Sequence, residues 1–183
     1  MGRALRPQRP PLPRFAVAWF PALPGLERIE RFRGEHDPMA HFVPAHLTLV
    51  FPFGTALSRL QVETHVRRVA AAWPPIPVTF GPVKSEANEF VFLMATRGAA
   101  AITALHDALY TRSLRHHLRP EFGYAPHITI ARDADADRVE AALAAAREAL
   151  TGDFSAVMRE VDLLSVGPAG RIERLASIAL NTA

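Results

Sequence analysis

The sequence predicts an α+β fold built as two lobes related by a pseudo-two-fold axis. Three observations predict it. The hexapeptides "PAHLTL" (44–49) and "APHITI" (125–130) echo one another. Each echo is followed by an amphipathic helical stripe and then by an apolar run of strand character. Prolines and glycines punctuate the chain between these runs.

The elements follow in order. "RFAVAWF" from Arg14 is β-rich, and Leu26, Ile29 and Phe32 or Arg33 recur at helical spacing, with Gly34 as the expected stop. "HLTLVF" is the next strand. Ser58 and Gln61 form a capping-box pair at the head of a helix whose stripe is Val62, Val66, Val69 and Trp73, ended by Pro74–Pro75. "IPVTFGP" and "EFVFLMA" read as strands joined by a turn near Lys84 to Asn88. The second half repeats this grammar. A helix is expected from about Ala99 to Leu118, then the strand "HITIAR", then a helix capped by Asp135 or Asp137 with the stripe Val139, Leu143, Ala146 and Leu150. A strand near Phe154 to Val166 and another from Arg171 to Leu180, split by "GPAG", complete the chain.

With 183 residues and 49% hydrophobic content the chain can bury a substantial core. The formal net charge of +3 is unevenly placed: residues 1–14 hold Arg3, Arg6, Arg9 and Arg14 and no acid, which leaves the rest at −1. An extended duplex-binding surface is therefore not expected. Residues 1–13, with prolines at 7, 10, 11 and 13, read as a disordered or polyproline-like tail, inert rather than nucleic-acid-binding. Residues 14–183 read as a single bilobal domain. There is no cysteine, hence no disulfide or thiol nucleophile, and no apolar run long enough to span a membrane. A cytoplasmic monomer is the expectation.

Period-two alternation gives the echo chemical content. His46 and Thr48 share one strand face while Leu47 and Leu49 take the other; His127 and Thr129 share a face opposite Ile128 and Ile130. Each strand can anchor itself with two aliphatics and present an imidazole beside a hydroxyl. Two such faces converging on one cleft suit an in-line displacement at phosphorus. One histidine takes the proton of the attacking water and the other protonates the departing alkoxide, while the hydroxyls hold the non-bridging oxygens. Spacing leaves open which histidine is base and which is acid.

At these residues the chain resembles the two-histidine phosphoesterase superfamily, the group of 2'-5' RNA ligase-like and cyclic phosphodiesterase proteins, whose two His-x-Thr/Ser-x motifs stand here as "HLTL" and "HITI". The resemblance covers Phe15 to Leu180. Residues 19–53 look especially like a bacterial branch with an "R…DP…PPHLTL…PF" pattern. It implies a bilobal fold of mainly antiparallel sheet, helices outside and one motif per lobe facing a central cleft. It also implies metal-independent cleavage of 2',3'-cyclic phosphates or 2'-5' linkages at nucleotide or RNA ends, a hydrolase of RNA processing. Two alternatives accompany it: 2'-5' end-joining by the reverse reaction, and a nucleotide- or RNA-end-binding module without turnover. The first motif continues as Val50, Phe51, Pro52, Phe53, where the tRNA-associated ligases have Phe-Leu-Gly.

Further candidates for substrate contact are Arg132, for a phosphate, and Tyr124, Phe122 and Phe53, for a base. Packing or solvation explains each of them at least as well. His36, His41 and His46 recur every five residues, which suits neither a helix face nor a strand face, so neither a metal site nor a cofactor is expected. His116–His117 read as helix-end residues, and His65 and His106 as residues that pack or decorate their helices.

Overall fold

The computed structural model describes residues 12–121 and 123–181. Residues 1–11 of the expected tail and the candidate Phe122 lie outside them.

The chain runs β1 (Arg14–Trp19), α1 (Leu26–His36), β2 (Leu47–Gly54), α2 (Arg59–Ala70), β3 (Ile76–Glu86), β4 (Phe90–Ala95), α3 (Ala99–Leu109), β5 (His127–Arg132), α4 (Ala136–Ala149), β6 (Phe154–Met158), β7 (Glu160–Val166) and β8 (Ile172–Ala179). Short 3-10 turns cover Pro38–His41, Arg112–His117 and Pro168–Gly170. One antiparallel sheet collects the strands in the order β6-β3-β4-β5-β2-β1-β7-β8. Its two halves meet at the central β5–β2 seam, so each echoing strand sits innermost in its own lobe. Helices α2 and α3 pack on the half that holds β2, and α1 and α4 on the half that holds β5.

The stretch expected as one strand from Phe154 to Val166 is two. Arg159 separates β6, which pairs with β3 at one end of the strand order, from β7, which pairs with β1 near the other end. A single extended run therefore links the two ends, which requires the sheet to curl.

Two helix ends also differ from expectation. Helix α1 continues past Gly34 to His36, because Arg33 pairs with Glu30 and Asp37 across its last turn and Pro38 forces Asp37 into an extended conformation (φ −124°). Helix α3 stops at Leu109, well short of Leu118, and Arg112, the first residue of the following 3-10 turn, takes a left-handed conformation (φ 48°). The β3–β4 turn is tighter than expected: β3 runs through Lys84 to Glu86, and Ala87 and Asn88 (φ 53° and 54°) carry the reversal.

The capping box of α2 forms as read, with Ser58 Oγ accepting from the Gln61 N–H at 3.3 Å and Gln61 Oε1 from the Ser58 N–H at 2.8 Å. Ser58→Ala is expected to cost about 1 kcal/mol in a urea titration, since it orphans one first-turn donor; an unchanged midpoint would show that the cap contributes nothing. Asp135 caps α4. The aliphatic anchors Leu47, Leu49, Ile128 and Ile130 are all fully buried.

Candidate active site at the β2–β5 seam

Strands β2 and β5 pair at Leu47 and Ile128. Antiparallel register then sets His46 across from Thr129, and Thr48 across from His127. The quartet read from the echo is thus assembled as two cross-strand pairs. All four residues line one cleft of about 930 Å³, on the face opposite the buried anchors.

Both rings are held the same way. His46 Nδ1 lies 2.8 Å from the Pro44 carbonyl, and His127 Nδ1 lies 2.6 Å from the Ala125 carbonyl. A carbonyl can only accept, so Nδ1 carries the hydrogen on each ring and Nε2 is the titratable nitrogen. Burial lowers the pKa of both histidines, and the carbonyl bonds oppose that fall. For His46, the Arg33 charge pulls further down while Asp37 and Glu30 pull up. For His127, the charge of His46 pulls down and Glu86 pulls up. A proton on His46 thus disfavours one on His127. The site can both accept and donate a proton, with a hydroxyl beside each imidazole to hold an anion between them.

The same β-bulge shapes both motif strands. The ladder passes from Ala18↔Thr48 to Val17↔Val50, and from Phe92↔Thr129 to Val91↔Ala131, so Leu49 and Ile130 are each the extra residue. Leu49 and Val50 are consequently both buried, as are Ile130 and Ala131. The next residues, Phe51 and Arg132, line the cleft. Arg132 is exposed at the rim with its guanidinium 5.0 Å from the Phe90 ring centre.

Phe53, a candidate for base stacking, does not line the cleft. It is buried against Phe15 and His117, with ring centres 6.2 and 4.5 Å away. A second register shift, between Phe15↔Phe53 and Val17↔Val50, follows the bulge at Leu49 and returns Phe53 to the core, so the aromatic of β2 that lines the cleft is Phe51. Tyr124 lines the cleft, but its hydroxyl donates to the Thr48 carbonyl at 2.9 Å and its ring stacks on His106 at 3.6 Å. It is part of a wedge made with α3 and its C-cap residue Tyr110. His106 Nδ1 donates to the Leu49 carbonyl at 2.8 Å and the Tyr110 hydroxyl accepts from the Phe51 N–H at 3.0 Å. His106 therefore holds the motif strand as well as packing its own helix.

Other residues of the cleft escaped the sequence reading. Phe92 stacks on His127 with ring centres 3.6 Å apart, and Phe90 continues the stack at 5.7 Å. The alternation Phe90, Phe92, Met94 was the available signal, masked by equally apolar residues on the other face. Position for position across the seam, Ala18 stands beside Thr48 where Phe92 stands beside Thr129. The flanking strands therefore line the cleft differently, β4 with Phe90 and Phe92 and β1 with Ala16 and Ala18.

Buried imidazoles make the fold acid-sensitive. The pKa values of His65 and His106 are also lowered, chiefly by burial. The unfolded chain, with histidines near 6.5, then binds more protons than the folded one. Their contribution to stability is present above pH 6.5 and is lost as pH falls through the lowered folded values. Thermal melts are expected to show a lower Tm at pH 5 than at pH 7.5, and His106→Gln should reduce the difference; equal Tm values for the wild type would contradict this.

The curled antiparallel sheet with paired His-x-Thr strands at its seam defines the two-histidine class of fold. A sequence profile of the 2'-5' RNA ligase superfamily matches residues 21–167, and the chain belongs to that superfamily. It is similar to a provisionally named phosphoesterase of Geobacillus thermodenitrificans, 28% identical over 123 residues, covering 66% of this chain and 69% of that one. Another, from Halalkalibacterium halodurans, is 29% identical over 132 residues, covering 68% and 73%. Among solved structures, E. coli LigT in apo form matches with a TM-score of 0.59 at 25% identity, covering 93% of this chain and 98% of LigT. LigT complexed with 3'-AMP matches with a TM-score of 0.59 at 24% identity, covering 92% and 98%. Among the described residues, no helix is long and apolar enough to cross a membrane.

Proposed function

We propose that the protein is a metal-independent phosphodiesterase that acts on a 2',3'-cyclic phosphate or a 2'-5' phosphodiester at a nucleotide or RNA end. His46 and His127 are its acid–base pair, and Thr48 and Thr129 bind the phosphate. The observation that carries this reading is the matched tethering of the two imidazoles: each gives Nδ1–H to the carbonyl two residues upstream and keeps Nε2 for proton transfer in one cleft. In the cyclic reaction, water adds to phosphorus as one imidazole takes its proton. The bond from phosphorus to one ribose oxygen breaks, and that oxygen receives a proton from the other imidazolium. Charge on the non-bridging oxygens is held by the two hydroxyls, with Arg132 at the rim. A nucleotide as the ligand class agrees with the 3'-AMP carried by the LigT structure.

The test is incubation with 2',3'-cyclic nucleotides and 2'-5' dinucleotides in excess EDTA. Product in EDTA is expected. Nucleotide binding without turnover would replace this reading by the binding module, and joining of ends without hydrolysis would replace it by the ligase direction. The pH dependence has a definite sign. Both histidine pKa values lie below the ordinary 6.5 in the free protein, so the singly protonated pair is most populated on the acid side of neutrality. The maximum of kcat/KM is expected below pH 6.5. Bound phosphodiester, an anion, raises both values and moves the kcat maximum to higher pH.

A further inference from the structure

The segment that delivers His46 to the cleft is held by a charged group on α1. Arg33 is almost fully buried, at 1% side-chain exposure. Its Nη1 donates to Glu30 Oε2 at 3.0 Å, and its Nη2 donates to Asp37 Oδ2 at 3.0 Å and to the Val43 carbonyl at 3.1 Å. The other oxygen of Glu30, Oε1, accepts from the Ala45 N–H at 2.6 Å. Asp37 Oδ1 accepts from the Met39 N–H at 3.0 Å and so fixes the turn between α1 and β2. Residues 43 and 45 are therefore gripped on either side of Pro44, whose carbonyl holds His46 Nδ1. The approach to His127 is held differently, by a backbone bond from the Ala95 N–H to the Pro126 carbonyl at 2.9 Å.

Stability alone is a poor reason for this arrangement. Desolvating an arginine and a carboxylate together costs about as much as their attraction returns, and apolar residues of similar volume commonly do as well. Among the described residues, Arg33 Nε is moreover buried without a hydrogen-bond partner, a further cost. What the group supplies is geometry at Pro44.

We propose that Arg33, with Glu30 and Asp37, forms a positioning group for His46, fixing the Pro44 carbonyl and through it the tautomer and orientation of the ring. The inference rests on the acid–base role given to His46 above. The charged groups that face His46 are Arg33, Glu30 and Asp37 from α1 and its following turn, and His127 across the seam.

The test uses Glu30, which is partly exposed, because Arg33→Met would strand two carboxylates and confound position with folding. ¹⁵N-histidine NMR reads the tautomer and titration of His46, and steady-state kinetics reads its use. Glu30→Gln retains an oxygen for the Ala45 N–H, gives up the acceptor for Arg33 Nη1 and removes a charge that raises the His46 pKa. It should keep the Nδ1–H tautomer and shift the His46 titration, and with it a limb of the pH–rate profile, to lower pH. Glu30→Ala removes the grip as well. It should mix the two tautomers and lower kcat about 10-fold or more at unchanged KM, as expected of a misplaced catalytic group. A folded Glu30→Ala variant with the wild-type tautomer and kcat would overturn the proposal. If that variant does not fold, Glu30→Asp, whose shorter side chain withdraws from the Ala45 N–H, takes its place, and the wild-type tautomer and kcat there would overturn the proposal. If the wild type turns over no phosphodiester, the proposed function fails, while the tautomer and titration of His46 still decide whether the group positions the ring.

Discussion

His46→Ala and His127→Ala are each expected to lower kcat/KM on a 2',3'-cyclic nucleotide by about 10² to 10⁴, the usual worth of a positioned acid or base. Neither change should unfold the protein. The rings lie half-buried on the cleft face, while the adjacent aliphatics that hold these strands in the core are untouched. Kinetics on variants shown by thermal melts to be folded checks the point, and a variant that keeps wild-type activity removes that histidine from the chemistry. Because the two act in one transition state, their effects should not add: the double variant should be only slightly worse than the poorer single one.

The next largest effect is expected at the seam itself. Leu47 is fully buried and stands between two strands, opposite Trp19 of β1 and Ile128 of β5. Leu47→Ala should destabilise the fold by about 2–5 kcal/mol, through lost burial and the cavity left where neighbours cannot collapse. Equilibrium urea unfolding measures it. A cost below about 1 kcal/mol would mean that the seam is loosely packed, contrary to its full burial.

Much of the fold was legible because its signals are local. The alternation in "HLTL" and "HITI" assigned Leu47, Leu49, Ile128 and Ile130 to the core, and Ser58 with Gln61 marked the start of α2. What stayed hidden depends on partners distant in sequence. Nothing between Phe154 and Val166 shows that the first half pairs with β3 and the second with β1, because residues on either side of Arg159 are equally suited to a strand. The bulges at Leu49 and Ile130 are likewise invisible in an unbroken apolar run, yet they turn Phe51 and Arg132 toward the cleft. Phe53 was misread by composition, since an aromatic near a motif suggests stacking, whereas a second register shift, between Phe15 and Val17, returns it to the core. Arg33 reads as either face of an amphipathic helix until Asp37 and Val43 are folded around it. For the site, the echo supplied all four central residues. The tethers at Pro44 and Ala125 and the Phe92 stack required the tertiary structure.

The most direct test of the paired-histidine site is the pH dependence of kcat/KM on a 2',3'-cyclic nucleotide in EDTA, compared between wild type, His46→Ala and His127→Ala. A pair sharing one proton predicts a bell in the wild type, with one limb for the group that must be neutral and one for the group that must be protonated. Each single variant should lose a different limb, which also identifies base and acid. A profile that retains both limbs in either variant would contradict the paired role of His46 and His127.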